Sequence, residues 1–303
     1  MSIRGGPVRV EGMNIDTRVL LHGLVSGESP RWHDGRLWFC HWGADEIVAL
    51  GPDGRAEVVL RDAELGPHTI DWLPDGRMLL VAKGRPGLLL RREPDGSFVT
   101  HADLRGLAAG WNELVVDGRG HAYVNGSDLD LLGFFAGSAE FVPGVIALVT
   151  PDGAVRQVAE GIEFGNGMAV TPDGRTLIVA DSFARTLVAF DIEADGGLAN
   201  RRVWAADLSP DGICIDVDGA VWTSAESFRD GDKDCVRVAE GGRILDRIPL
   251  DRSAFALMLG GDDGRTLFVM EAVWNHRDPW GGPRTGQVRT ARVRAAGAGW
   301  PAR

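Results

Sequence analysis

A chain of 303 residues, 44% of them hydrophobic and with charge scattered evenly, has the composition of a soluble globular protein. No apolar run approaches the roughly 20 residues that cross a bilayer, which argues against a membrane partner. A formal net charge of −11 without a basic cluster argues against nucleic acid.

In chain order, residues 1–12 lack the apolar stretch of a secretory signal. A strand is predicted over 18–24, then the segment Gly27-Glu28-Ser29-Pro30 leads to a turn at Gly35 and a strand over 36–40. Turn glycines recur at Gly54, Gly76, Gly96, Gly120, Gly153, Gly174, Gly196, Gly219, Gly242 and Gly264, most of them preceded by Asp. Asp-Gly permits the positive φ angles of tight hairpins. The intervening strands, over 78–82, 176–180, 220–223 and 266–270, are rich in Val, Leu, Phe and Trp.

Every second turn, from Gly35 through Gly76, Gly120, Gly174 and Gly219 to Gly264, recurs at intervals of 41, 44, 54, 45 and 45 residues. Six copies, each with two hairpin turns, predict an all-β chain: a six-bladed β-propeller with four-stranded blades, residues 1–303 forming one domain. The segments between turns lack the 3.6-residue period of a helical solenoid; a β-sandwich, which need not repeat, is the structural alternative. The last blade, beginning near Phe255 and continuing over 266–270 and 287–293, is one strand short. The strand over 18–24 is expected to complete it and to remove two exposed edges.

Counting back eight residues from the alternate glycines reaches His68, Asn112, Asn166, Asp211 and Ala256; Glu28 lies seven before Gly35. Each is predicted just before an innermost strand, and equivalent positions of radial blades converge on the channel. Glu28 and Asp211 supply two charges, Asn166 and Asn112 neutral oxygens. Such oxygen donors suit one divalent cation, Ca²⁺ first, with Mg²⁺, Mn²⁺ or Zn²⁺ also open. Singly, Asn or Asp before Gly is ordinary turn chemistry; the shared phase and Glu28 are not explained by it. His68 reads equally as a structural histidine or a substrate contact, and Glu113 as a supporting group.

Several motifs in order extend this reading: Gly27-Glu28-Ser29-Pro30-Arg31-Trp32, Asn166-Gly167-Met168-Ala169-Val170-Thr171-Pro172-Asp173-Gly174, Pro210-Asp211-Gly212-Ile213 and Met258-Leu259-Gly260-Gly261 with Thr266-Leu267-Phe268-Val269. Together they resemble the senescence-marker-protein/gluconolactonase/regucalcin-like propellers over nearly the whole chain. The resemblance implies that Glu28, Asn166 and Asp211 hold the metal, that Asp211 is also the proton acceptor and donor, and that Asn112 lines the substrate site. Sugar-lactonase members often carry an arginine two residues before that asparagine; Gly110 stands there in this chain. Recognition of a sugar-acid lactone is therefore not implied.

The expected function is metal-dependent hydrolysis of a small lactone or ester, with Asp211 as ligand and general base, or in a second version as ligand alone. A non-catalytic binding propeller with a structural ion is the alternative. No nucleophile elbow, zinc-protease motif, phosphate loop or dinucleotide fingerprint is present in the sequence. The interval from Gly120 to Gly153 is about ten residues longer than its neighbours. Its excess, residues 129–144 (LDLLGFFAGSAEFVPG), reads as an apolar lid over the channel mouth, with a subunit contact or flank packing as alternatives. An oligomer is possible but not indicated. Cys40, Cys214 and Cys235, an odd set without CxxC spacing, read as reduced thiols. With the absent signal they predict a cytoplasmic protein, in which the Asn125-Gly126-Ser127 sequon is accidental.

Overall fold

The computed structural model describes residues 15–225, 233–273 and 282–298; residues 1–12, read above for a signal, lie outside them. After β1 (Thr17–Leu24), the chain forms β2 (Gly27–His33), β3 (Arg36–His41), β4 (Glu46–Leu50) and β5 (Ala56–Arg61), one antiparallel sheet. The next sheet is β6 (Pro67–Trp72), β7 (Met78–Ala82), β8 (Leu88–Arg92) and β9 (Phe98–Asp103), followed by β10 (Gly110–Val116), β11 (Ala122–Ser127), β12 (Gly144–Val149) and β13 (Val155–Ile162). Then come β14 (Gly165–Val170), β15 (Thr176–Asp181), β16 (Thr186–Ile192) and β17 (Leu198–Ala206). The fifth sheet is β18 (Cys214–Ile215), β19 (Val221–Ser224), β20 (Asp234–Val238) and β21 (Ile244–Pro249). The sixth joins β22 (Ser253–Gly260), β23 (Thr266–Ala272) and β24 (Gly286–Arg292) to β1. The protein is a six-bladed β-propeller with four-stranded blades, as the spacing of its turns predicts.

The strands differ according to their place in a blade. Inner strands lie between neighbouring blades and are covered on both faces, so β7 and β3 read as nearly continuous buried runs, Met-Leu-Leu-Val-Ala and Leu-Trp-Phe-Cys. Outermost strands such as β5 and β13 face solvent, with no buried residue in β5 and only Ile162 buried in β13. All eleven turn glycines have φ between 68° and 87°, and each joins the first strand of a blade to the second or the third to the fourth. These hairpins therefore gather on one face. The starts of the innermost strands, and the connections from second to third strands, gather on the other.

Ring closure uses the N-terminal strand: Thr17 pairs with Ala291 and Leu24 with Gly286. Because β1 is the outermost strand of its blade, it covers one edge, that of β24, and becomes the rim itself; the expectation that two edges would vanish is corrected accordingly. The seam is packed tightly beneath. Trp32 stacks on Phe268 with ring centroids 5.4 Å apart, and a Cβ on Gly260 would lie 2.3 Å from the Trp32 ring. That contact explains why glycine follows Met258-Leu259. Cys40, Cys214 and Cys235 are buried, unbridged thiols. Among the described residues no helix is long and apolar enough to cross a membrane.

Candidate active site

Glu28, His68, Asn112, Asn166 and Asp211 all line one cavity of about 260 Å³ on the face opposite the hairpins. Their placement has a common cause. The pairing of first and second strands slips between Glu28 and Arg31 in β2, Pro67 and Thr69 in β6, Trp111 and Leu114 in β10, and Gly165 and Met168 in β14. A β-bulge at each slip re-aims a side chain that regular alternation would send into the blade. Four ring residues thus lie inside their strands, where the sequence reading puts them just before; Asp211 alone precedes its strand. In the sixth blade the slip falls between Ala254 and Ala256. Phe255, not Ala256, lines the cavity there, because one extra residue in the bulge shifts the count.

The glycines after two ring residues let neighbouring blades touch through their backbones. Gly167 N donates to Asp211 O at 3.2 Å, and Gly212 N to Phe255 O at 2.7 Å. A Cβ on Gly167 would sit 2.4 Å from Ile213 N, and one on Gly212 2.5 Å from Ala256 Cβ.

Glu28 and Asp211 are buried. Burial pushes the Glu28 carboxyl well above its ordinary value, and the charges of Asp211 and Glu113 push it further, against one backbone hydrogen bond at Ser29. Asp211 is pushed up to about 8, again by burial first and then by Glu113, although Gly212 N–H and the Asn166 side chain favour its charged form. Among the described residues no cationic side chain acts on either carboxyl. Asn166 also reaches Ser182 Oγ at 3.5 Å, and that hydroxyl donates to Pro210 O at 2.7 Å, which anchors the turn before Asp211. Among the described residues no three His, Cys, Asp or Glu side chains cluster as a metal site. The donor set is instead two carboxyls and an amide, all oxygen. That chemistry fits a hard divalent cation.

Beneath these carboxyls lies a network that only the fold reveals. Glu113 Oε1 accepts from Ser29 Oγ at 3.0 Å, Arg31 Nη2 at 2.9 Å, Leu114 N at 3.0 Å and from Thr69 Oγ1. Ser29 Oγ and Thr69 Oγ1 are 2.6 Å apart. Ser29 has φ 52°, a conformation costly for a serine, and these bonds hold it, fixing where Glu28 begins. Asn125, on the second strand of its blade, accepts from Glu113 N at 3.1 Å and donates to Asn166 O at 2.6 Å. It is 1% exposed, so the sequon is a buried positioning group. An asparagine in an otherwise apolar strand was the one signal available for it.

His68 stacks on Trp42 with centroids 4.2 Å apart and planes 13° apart. Burial, then the charge of Lys83, pushes it down to about 3, while a hydrogen bond from its ring to Asn112 opposes this; it is a neutral imidazole at physiological pH. Asn112 Nδ2 donates to Gly165 O at 3.0 Å. The 129–144 insertion carries the short helix α1 (Leu131–Phe135). Leu129, Leu131 and Phe135 from it line the cavity beside Phe164 and Phe183, two aromatics that no feature of the repeat had marked.

A propeller whose innermost strands and the turn before one of them bring two buried carboxyls and an amide to one cavity defines a class of blade-convergent sites. Residues 26–273 match the SMP-30/gluconolactonase/LRE-like region, and the chain belongs to that family. It is 32% identical over 151 residues to regucalcin of Danio rerio, a match covering 46% of this chain and 50% of that protein. The chain thus matches about half the length of that relative. To pentonolactonase XacC of Haloferax volcanii it is 24% identical, over 69% of each chain. The solved structure of a calcium-binding regucalcin from Agrobacterium tumefaciens superposes with a TM-score of 0.72 at 19% identity, covering 93% of this chain and 96% of the other. Likeness at that identity bears on the fold alone.

Proposed function

We propose that this protein hydrolyses a small lactone or ester, holding one divalent cation with Glu28, Asn166 and Asp211. The observation that carries the reading is the pair of buried carboxyls facing one cavity, with no cationic side chain among the described residues acting on either. Family membership and the pentonolactonase relative supply the reaction class, and the oxygen-only donor set makes Ca²⁺ the first choice among ions. When bound, the cation supplies charge stabilisation for a carbonyl oxygen becoming an oxyanion.

The chain's own residues do the rest. Asp211 takes a proton from the attacking water and returns it to the leaving oxygen, a task that needs one of its oxygens free. Asn166 and the Gly212 amide fix its orientation. Asn112 and neutral His68, bonded to each other, orient the substrate from the neighbouring arc of the ring. The aromatic insertion excludes water from the mouth as a lid.

A panel of lactones and aryl esters, assayed with chelator and with added Ca²⁺, Mg²⁺, Mn²⁺ or Zn²⁺, tests enzyme, ion and substrate class together. Cation-dependent turnover is expected. Tight cation binding without turnover of any panel member would instead make this a binding propeller with a structural ion.

A further inference from the structure

The cavity is divided between two chemistries. Glu28, Asp211 and Asn166 supply its polar lining, while Phe135, Phe164 and Phe183 come together from three separate connections to supply an aromatic wall. Phe164 and Phe183 stack at 4.7 Å with planes 16° apart. Phe183 is also packed by Phe134 at 5.7 Å, Phe135 at 6.2 Å and Phe141 at 6.3 Å. Four rings therefore hold one ring in place at the cavity, which random surface aromatics do not achieve. Phe135 nonetheless remains 55% exposed, apolar surface left without a cover.

The polar capacity near this wall is small. Gly110 lines the cavity with no side chain, and among the described lining residues there is no Lys or Arg. Asn112 Nδ2 gives one of its two N–H groups to Gly165 O, and Ser127 Oγ accepts from Leu129 N at 3.3 Å, which leaves one donor hydrogen on each. A polyhydroxylated ring would leave hydroxyls unpaired against phenyl faces, at about fivefold or more in affinity for each. An anionic substituent lying on the wall would meet no cationic side chain among the described lining residues.

We infer that the substrate is a neutral lactone or ester bearing an apolar substituent of several carbons, which lies along the Phe135–Phe164–Phe183 wall while its carbonyl faces Asp211. This rests on the hydrolase reading above. The substituent supplies the missing cover for the wall, and each methylene it buries should raise affinity about fourfold until the wall is covered.

The test uses the full chain with saturating Ca²⁺ and the series δ-valerolactone, δ-octalactone and δ-decalactone against glucono-δ-lactone. Binding of the matching δ-lactams, which resist hydrolysis, is followed separately by calorimetry. Expected are kcat/KM and lactam affinity that climb together along the alkyl series, with glucono-δ-lactone the poorest substrate. Phe183→Ala should flatten both slopes. Phe135→Ser, at a half-exposed position where folding is not at stake, should reduce them. A flat series, or preference for glucono-δ-lactone, would overturn the apolar assignment and leave lactone hydrolysis standing. Graded lactam binding without hydrolysis would uphold the wall as a binding site and sink the hydrolase reading. Neither binding nor turnover would overturn both.

Discussion

Gly167 N and Asp211 O, 3.2 Å apart, tie two neighbouring blades together at the point where each delivers a candidate ligand. The glycine is required by contact: a Cβ there would lie 2.7 Å from that same oxygen and 2.4 Å from Ile213 N. Gly167→Ala must push the Asp211 segment outward. Expected are a stability loss of about 1–3 kcal/mol and a fall in kcat/KM on the order of 10²-fold from misplacement. Thermal melts and kinetics on the same preparation check this; unchanged activity would mean that Asp211 does not need its present position.

Proton release should accompany cation binding. Asp211, held near 8 in the fold against an ordinary 3.8, contributes stability that is present below pH 3.8 and lost as pH rises through 8. At pH 7 it is largely protonated without a cation, and Glu28 is shifted in the same direction. Binding should therefore expel about one proton or more, and affinity should rise with pH up to about 8. Calorimetry in buffers of different ionisation enthalpy measures the number; a buffer-independent heat would contradict it.

The cation should also couple the blades. Ligands from three blades give stabilisation by mass action, about 2.7 kcal/mol at a hundred times Kd. Melting temperature should rise with Ca²⁺, return with chelator, and lose that dependence in Glu28→Gln.

Asp211→Asn separates ligand from base. If the carboxylate only binds, saturating cation restores the rate; if it accepts the proton, a loss of about 10²- to 10⁴-fold persists at full occupancy. Asn166→Ala, which leaves proton transfer intact, should be rescued at least partly. The measurement is rate against cation concentration, with occupancy determined independently.

His68 predicts an acid-side weakness. With its pKa lowered from 6.5 to about 3, its contribution is complete above pH 6.5 and disappears as pH falls toward 3. At pH 5 that amounts to up to about 2 kcal/mol. The difference between wild type and His68→Gln isolates the histidine, because Glu28 and Asp211 titrate in both. Equal pH dependence of their melting would remove this assignment.

A chain beginning at Val25 lacks β1 and exposes β24 along the register from Gly286 to Ala291. It also loses Leu24 from the seam between first and last blades. Loss of solubility and of a single sharp unfolding transition is expected. A truncated chain that melts like the intact one would contradict closure by this strand.

The repeat was legible because turn chemistry is local: glycine at positive φ, and short apolar strands between the turns, recur at a countable interval. Counting from those turns also reached Glu28, His68, Asn112, Asn166 and Asp211, since identical positions in radial blades meet at the axis. Counting failed at Ala256, where a bulge places Phe255 in the cavity. It could not find Asn125 between Glu113 and Asn166, nor the Ser29–Thr69–Glu113 network drawn from three blades. Phe164 and Phe183 became a wall only through the insertion that packs on them. Those relationships depend on how neighbouring blades are offset and twisted, which is set by side-chain packing between sheets and leaves no periodic trace along the chain.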